Sequence, residues 1–251
     1  MTRELLCAPL DSRSKADDSP VTAIDEAVDA YLHAHLRPLM PAAAWLSEET
    51  KDQPDRLNAR WLWIVDPIDG TRSLLAGLPE FCVSIALVDC LSGPQLAVVA
   101  NPSTGDVYRA QAGSGAFDQQ DRALRVRPNW QAESATFLAS RSDVAKGMWR
   151  DQWPTGTLQP MGGLAWKMAQ VAAGAADGHA TIGPRSEWDA AGGALLVTEA
   201  GGRCSDLAGQ ALRYNQPTPH YQGCVVASEA AFATLLAAAQ AEARRPSSTA
   251  P

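Results

Sequence analysis

No run of apolar residues in the 251-residue chain approaches the ~20 that a membrane-spanning helix needs, so no membrane partner is expected. Behind Met1-Thr2-Arg3-Glu4 there is also no apolar stretch of signal-peptide type, which predicts a cytoplasmic protein. Cysteine is scarce. Cys7, Cys82, Cys90, Cys204 and Cys224 are odd in number and show no C-x-x-C spacing, which excludes a disulfide framework and leaves buried or free thiols. His33, His35, His179 and His220 are too scattered for a zinc site. Positive charge is short as well: 21 Lys and Arg against 28 Asp and Glu give a net charge of -7, so no nucleic-acid partner is expected. A hydrophobic content of 46% over this length can bury a sizeable core, as one large domain or two closely joined halves.

The chain is organised around Trp63-Ile64-Val65-Asp66-Pro67-Ile68-Asp69-Gly70-Thr71. Trp63, Ile64 and Val65 predict a buried strand. Pro67 is expected to end its ladder, for want of an N–H, and Gly70 to allow a sharp turn. Asp66 and Asp69 would then lie in a loop at a strand's carboxyl end, where open α/β sheets place their ligands. Two hard carboxylates in so short a span suit Mg²⁺, and the Ile68 carbonyl between them offers a neutral ligand. Gly70 and Thr71 offer backbone N–H groups to an anion. Taken alone, Asp-x-x-Asp is equally well turn material.

Further along in both directions, carboxylates recur beside helix signals. In Lys15-Ala16-Asp17-Asp18-Ser19-Pro20-Val21-Thr22-Ala23-Ile24-Asp25, Thr22 and Asp25 form a capping-box variant. Ile24, Val28, Tyr31, Leu32 and Leu36 follow at helical spacing and are expected to face the core. Leu46-Ser47-Glu48-Glu49 reads as a polar turn, followed by a polar loop, Thr50 to Arg60, expected to be mobile. Val83–Val88 and Leu96–Val99 predict antiparallel strands, continued by Val107–Ala110. Ala135–Ala139 predicts another strand, ending in Ser140-Arg141-Ser142, which is either a plain loop or a substrate contact. Gly162-Gly163 introduces a helix carrying Lys167. Glu187-Trp188-Asp189 opens a helix that the Gly201-Gly202 pair stops, with Asp189 in its first turn.

Three of these stretches, in this order and spanning Lys15 to Gly202, resemble the inositol monophosphatase superfamily of Mg²⁺-dependent, often lithium-sensitive phosphomonoesterases. The resemblance implies an α/β (α+β) fold, a layered αβαβα sandwich, usually a homodimer. It also implies that Glu48, Asp66, the Ile68 carbonyl, Asp69 and Asp189 hold two or three Mg²⁺ ions. In the implied mechanism one ion lowers the pKa of a water, Thr71 and Asp25 align it, Glu48 assists, and another ion stabilises the leaving alkoxide. Residues 1–128 form the half with most metal ligands, 129–245 the half that completes the site, and 246–251 a disordered tail. The amino terminus is shorter than is usual in the family.

Substrate contacts are expected from Gly70, Thr71, Gly162, Gly163, Lys167, Arg185 and Asp189. Lys167 matches a lysine of the bacterial 3'(2'),5'-bisphosphate nucleotidase branch, and Leu46–Glu49 and Leu212-Arg213-Tyr214-Asn215 also resemble that branch. Ile182 stands where inositol monophosphatases carry a Glu. Thr181 stands where the nucleotidases carry an Arg, for which Arg185 is a substitute. The favoured substrate is therefore adenosine 3',5'-bisphosphate, with inositol 1-phosphate as the runner-up. A non-catalytic binder of phosphorylated ligands or of a partner protein is the third reading. It is disfavoured because a binder gains nothing by gathering so much negative charge.

Overall fold

The structure is a computed structural model and describes residues 12–14, 20–149 and 156–245. The expected tail at 246–251 and the Lys15–Ser19 part of the first motif lie outside the described residues. Strands β1 (Ser12–Ser14) and β2 (Pro20–Thr22) pair antiparallel and lead into α1 (Ala23–Leu36). The expected capping box is present: the Thr22 hydroxyl accepts from the Ile24 and Asp25 N–H groups while the Asp25 carboxylate accepts the Thr22 N–H. The buried stripe of α1 follows the i, i+4 series Ile24, Val28, Leu32. Tyr31 was expected in that stripe but lies at its edge, exposed and stacked on His35.

The first sheet is built, in spatial and chain order, from β3 (Ala44–Ser47), β4 (Trp61–Asp69), β5 (Cys82–Asp89), β6 (Gly93–Ala100), β7 (Val107–Gln111) and β8 (Gly115–Asp118). Only the β3–β4 pair is parallel. Two expectations are corrected here. Pro67 does not end the ladder: β4 runs on to Asp69, and the register shifts between Asp66, opposite Ser84, and Asp69, opposite Cys82. The proline sits inside that irregularity, where a missing N–H breaks no ladder bond. Asp66 and Asp69 are thus strand residues at a bulge and not loop residues. The Thr50–Arg60 loop is also pinned and not loose. Its 3-10 turn, Pro54–Asn58, carries Arg56, whose guanidinium is buried against Asp52, the Asn215 side chain and the Gln216 carbonyl.

After β4 the short helix α2 (Thr71–Leu75) turns the chain toward β5. Beyond β8 come β9 (Thr136–Ser140), α3 (Arg141–Ala145), β10 (Thr157–Met161), α4 (Leu164–Ala172), β11 (Gly178–Ser186), α5 (Glu187–Glu199), β12 (Gly202–Ser205), β13 (His220–Ser228) and α6 (Glu229–Ala243). The second sheet has the order β10-β9-β11-β13-β12, with β9 parallel to both its neighbours and β13 antiparallel to both of its own.

Packing stacks these parts in five layers, the αβαβα arrangement expected from the sequence. Side chains of α1, among them Ile24 and Val28, cover one face of the first sheet. Helices α4 and α5 fill the space between the sheets, where Leu164, Met168, Leu196 and Val197 meet Val99 of the first sheet and Leu138 and Val226 of the second. Helix α6 closes the far side through Phe232 and Leu235 against Phe137 and Val225. The small residues of α5 permit the sandwich. A Cβ at Gly193 would lie 2.6 Å from the Cβ of Met168 on α4, and one at Gly192 would lie 2.7 Å from Ser84 Oγ on β5. Among the described residues Cys82, Cys90, Cys204 and Cys224 are free thiols, and no helix is long and apolar enough to cross a membrane.

The helix spacing yields a stability prediction. Gly193→Ala should destabilise the protein by about 1–3 kcal/mol, the usual cost of overpacking, because a backbone-fixed Met168 Cβ cannot swing away. Denaturant titration measures it, and an unchanged midpoint would contradict the close α4–α5 contact.

Candidate active site

Three carboxylates from three distant parts of the chain converge where the first sheet meets α5. Glu48 follows β3, Asp66 ends the regular part of β4, and Asp189 sits in the first turn of α5. One oxygen from each lies within 4.8 Å of the others. Unit charges at that separation repel by roughly 3–4 kcal/mol per pair at an effective dielectric of about 20. Asp66 is 1% exposed, and neither of its oxygens has a hydrogen-bond partner among the described residues. Burial, then the charges of Glu48, Asp69 and Asp189, pushes its pKa well up. Asp189 is pushed up to about 7, first by burial and then by Glu48 and Asp69. One Asp189 oxygen accepts the Ser186 N–H at 2.8 Å, so the cap of α5 orients the carboxylate. The buried, unpartnered Asp66 oxygens, faced by the carboxylates of Glu48 and Asp189, are a donor set for a hard divalent cation, and the residues present fit one.

Asp69 is set apart from this trio. Its Oδ1 accepts the Leu164 N–H at 2.7 Å and its Oδ2 the Trp166 N–H at 3.0 Å, so it caps the start of α4 from another element. The Cys82 thiol, opposite it on β5, also donates to Oδ2. Burial raises the Asp69 pKa, while Lys167 and the two N–H groups oppose the rise. Two glycines allow this approach. A Cβ on Gly163, at φ +65°, would lie 2.7 Å from Asp69 Oδ2, and one on Gly70, at φ +95°, would lie 2.7 Å from the Glu80 carbonyl.

Thr71 opens α2 beside the trio. Its hydroxyl lies 3.0 Å from Asp25 Oδ1 and 3.1 Å from the Ile68 carbonyl, and donates its one proton to either. The other Asp25 oxygen accepts from the Thr22 N–H and hydroxyl. Asp25 itself stands behind Thr71, 1% exposed. The Ile68 side chain packs with Ile24 and Leu74, and its carbonyl is in reach of the Thr71 hydroxyl.

Glu48, Asp66, Ile68, Asp69, Gly70, Thr71 and Asp189, but not Asp25, line one cleft of about 870 Å³. Gly162, Gly163, Lys167, Arg185 and the Ser140-Arg141-Ser142 run line it too. Lys167 is no surface lysine. Its ammonium donates to the Gly163 carbonyl at 2.6 Å and the Met161 carbonyl at 3.4 Å, and burial draws its pKa down to about 8 against the pull of Asp69. Arg185 lies 3.6 Å from Asp143. Groups in and beside the cleft had no signal in the sequence. Glu80 grips Arg141 with both oxygens and accepts the Gly162 N–H at 2.8 Å, but belongs to no motif. His220, at the start of β13, meets Trp188 edge-on with ring centroids 6.0 Å apart. Thr181 and Ile182, the positions weighed for substrate choice, do not line the cleft. Thr181 is fully buried, and Ile182 packs with the α6 cluster.

The crowded charge predicts a pH effect in metal-free protein. A carboxylate whose folded pKa is raised contributes stability that is complete below its ordinary value and lost as pH climbs through the folded one. For Asp189 that window runs from 3.8 to about 7. Asp66→Asn removes one charge from the trio, so in chelator it should melt higher than the parent. The gain should grow across this window to about 2–4 °C, the shift expected of roughly 1 kcal/mol in a chain of this size. Thermal melts against pH measure the difference, and a gap that stays constant with pH would contradict the crowding.

Known proteins resemble this chain in sequence and in fold. The model of the inositol monophosphatase family matches residues 3–245. A 3'(2'),5'-bisphosphate nucleotidase, CysQ, from Escherichia coli K12 is 34% identical over 212 residues, 82% of this chain and 84% of the relative. An inositol-1-monophosphatase from Mesorhizobium japonicum is 33% identical over 198 residues, 75% of this chain and 73% of the relative. In structure, an IMPase from Thermotoga maritima superposes with a TM-score of 0.83 at 26% identity, covering 96% of this chain and 92% of that one. With its layered fold, its convergent carboxylates and these relatives, the chain belongs to the inositol monophosphatase family and is a phosphoric monoester hydrolase.

Proposed function

We propose that the protein is a Mg²⁺-dependent 3'(2'),5'-bisphosphate nucleotidase that hydrolyses adenosine 3',5'-bisphosphate to AMP and phosphate. The observation that carries the metal part is the trio Glu48, Asp66 and Asp189 with the unpartnered buried oxygens of Asp66. A phosphate dianion entering so negative a site is repelled unless cations intervene. Glu48, Asp66, the Ile68 carbonyl, Asp69 and Asp189 would hold two or three Mg²⁺ ions. Asp69 Oδ2 already accepts both the Trp166 N–H and the Cys82 thiol, but Oδ1 accepts only the Leu164 N–H and keeps a lone pair for a cation. Bound Mg²⁺ supplies charge neutralisation and a water acidic enough to attack phosphorus near neutral pH.

The chain's own residues supply alignment. With its proton donated to Asp25, the Thr71 oxygen is left as an acceptor for a proton of the attacking water. Gly70 and Thr71 line the cleft, and their backbone N–H groups would serve the phosphate oxygens. Glu48, only partly buried, helps to hold the water.

The substrate reading rests on cleft size and charge. At about 870 Å³ the cleft exceeds what an inositol phosphate needs, and Lys167, Arg141 and Arg185 line it along with the carboxylates. Cations in the same cleft suit a second phosphate, and the Trp188–His220 pair offers an aromatic edge to a base. The nucleotidase relative points the same way. Inositol 1-phosphate is the second reading, favoured by the Mesorhizobium relative. Lithium inhibition, a homodimer and cytoplasmic residence complete the proposal on the family resemblance.

Phosphate release with and without Mg²⁺ over a panel of adenosine 3',5'-bisphosphate, inositol 1-phosphate and AMP tests it. Release should require Mg²⁺ and be fastest with the bisphosphate. Faster turnover of inositol 1-phosphate would promote the second reading. Thr71→Ala should lower kcat by roughly 10²-fold or more with little change in KM. A raised KM with intact kcat would make Thr71 a binding residue. Lys167→Ala should cost about 1–3 kcal/mol in kcat/KM with the bisphosphate and much less with inositol 1-phosphate, and equal losses would remove Lys167 from specificity.

A further inference from the structure

We propose that Asp29 is a positioning residue that holds Glu48 in the carboxylate cluster, an inference that rests on the divalent-metal reading of that cluster. Asp29 lies one helical turn beyond Asp25 on α1 and is 7% exposed. Each of its oxygens takes one hydroxyl: Ser47 Oγ donates to Oδ1 at 2.5 Å and Thr50 Oγ1 donates to Oδ2 at 2.6 Å. Ser47 is the last residue of β3 and Thr50 comes three residues later. A single buried carboxylate therefore staples both sides of the bend that carries Glu48.

The bend needs such a staple. Past Ser47 the chain leaves the sheet, with a last, long bond of 3.4 Å from the Glu48 N–H to the Val65 carbonyl. Regular structure resumes only at Pro54–Asn58. Meanwhile Asp66 and Asp189 repel the Glu48 carboxylate toward solvent. A bend free to follow that push would carry the glutamate out of the cluster, and cation binding would then have to draw it back. With Asp29 in place the bend is held before any cation arrives. The same face of α1 holds Thr71 through Asp25, so one helix sets both Glu48 and Thr71 relative to β4. Asp29 is outside the convergent carboxylate trio and does not line the cleft, which marks the residue as a support for a ligand and not a ligand.

Mg²⁺ affinity measured by calorimetry on folded protein, beside thermal melts, tests this in the parent and three variants. Asp29→Ala should weaken Mg²⁺ binding roughly 10-fold or more, within the 10–100-fold typical when a partner that orients a metal ligand is lost. Thr50→Val removes half of the staple and should weaken it by about threefold, a smaller step in the same direction. Asp177→Asn is the control for stability alone. It breaks the Arg127–Asp177 pair at the opposite end of β11 from Arg185, and should lower the melting temperature with an unchanged Mg²⁺ Kd. Should Asp29→Ala fail to fold, Thr50→Val decides. A parental Kd in the folded Asp29 and Thr50 variants overturns the inference and leaves the metal reading standing. A parent that binds no Mg²⁺ overturns both.

Discussion

The mutual repulsion of Glu48, Asp66 and Asp189 is the constraint that the rest of the structure answers to. Carboxylates that approach within 4.8 Å in a buried site do not gather spontaneously; other bonds must hold their carriers together. Each carrier is held differently. Asp66 is fixed by the register of β4 against β5, which gives way only after it. Asp189 is fixed by the cap of α5, and α5 in turn by glycines that let it pack between the first sheet and α4. Glu48, on the least regular of the three carriers, is the one that needs a separate anchor.

This division of labour explains why the site straddles the two sheets. The first sheet contributes Glu48, Asp66 and Asp69, but the fourth carboxylate and the cations arrive on elements of the second half of the chain: Lys167 on α4, Arg185 on β11, Asp189 on α5. Asp69 joins the halves, since its side chain, leaving β4, receives the first N–H groups of α4. The buried Arg56 ties the loop behind Glu48 to Asn215 and Gln216, whose N–H groups are in turn accepted by Glu187 at the start of α5. The cleft is therefore a joint whose two sides are connected by hydrogen bonds to ionised or buried polar groups, the kind whose loss costs most.

Much of this was legible in the chain. The strand at Trp63, the capping box at Thr22 and Asp25, the helix opened by Gly162-Gly163 and the glycine stop after α5 depend on short-range rules, and they stand where those rules put them. Family resemblance supplied the layering. What escaped was long-range. Pro67 ends a strand by local rules, yet a bulge absorbs it. Tyr31 fits the apolar spacing of α1, yet lies beyond what the sheet covers. The loop after Thr50 reads as polar and free, but a partner some 160 positions away buries its arginine. Glu80, bonded to the cleft-lining Arg141 and Gly162, and His220, in the cleft itself, have no local pattern to announce them, because their places are decided by tertiary packing alone.

The most direct measurement is a crystal structure grown with Mn²⁺ and phosphate, with diffraction recorded at the manganese edge. Mn²⁺ accepts the same oxygen donors as Mg²⁺ and scatters anomalously. The account predicts anomalous density bounded by Glu48, Asp66 and Asp189, with phosphate beside it facing Thr71. Manganese found only elsewhere, with the three carboxylates as far apart as repulsion allows, would contradict it.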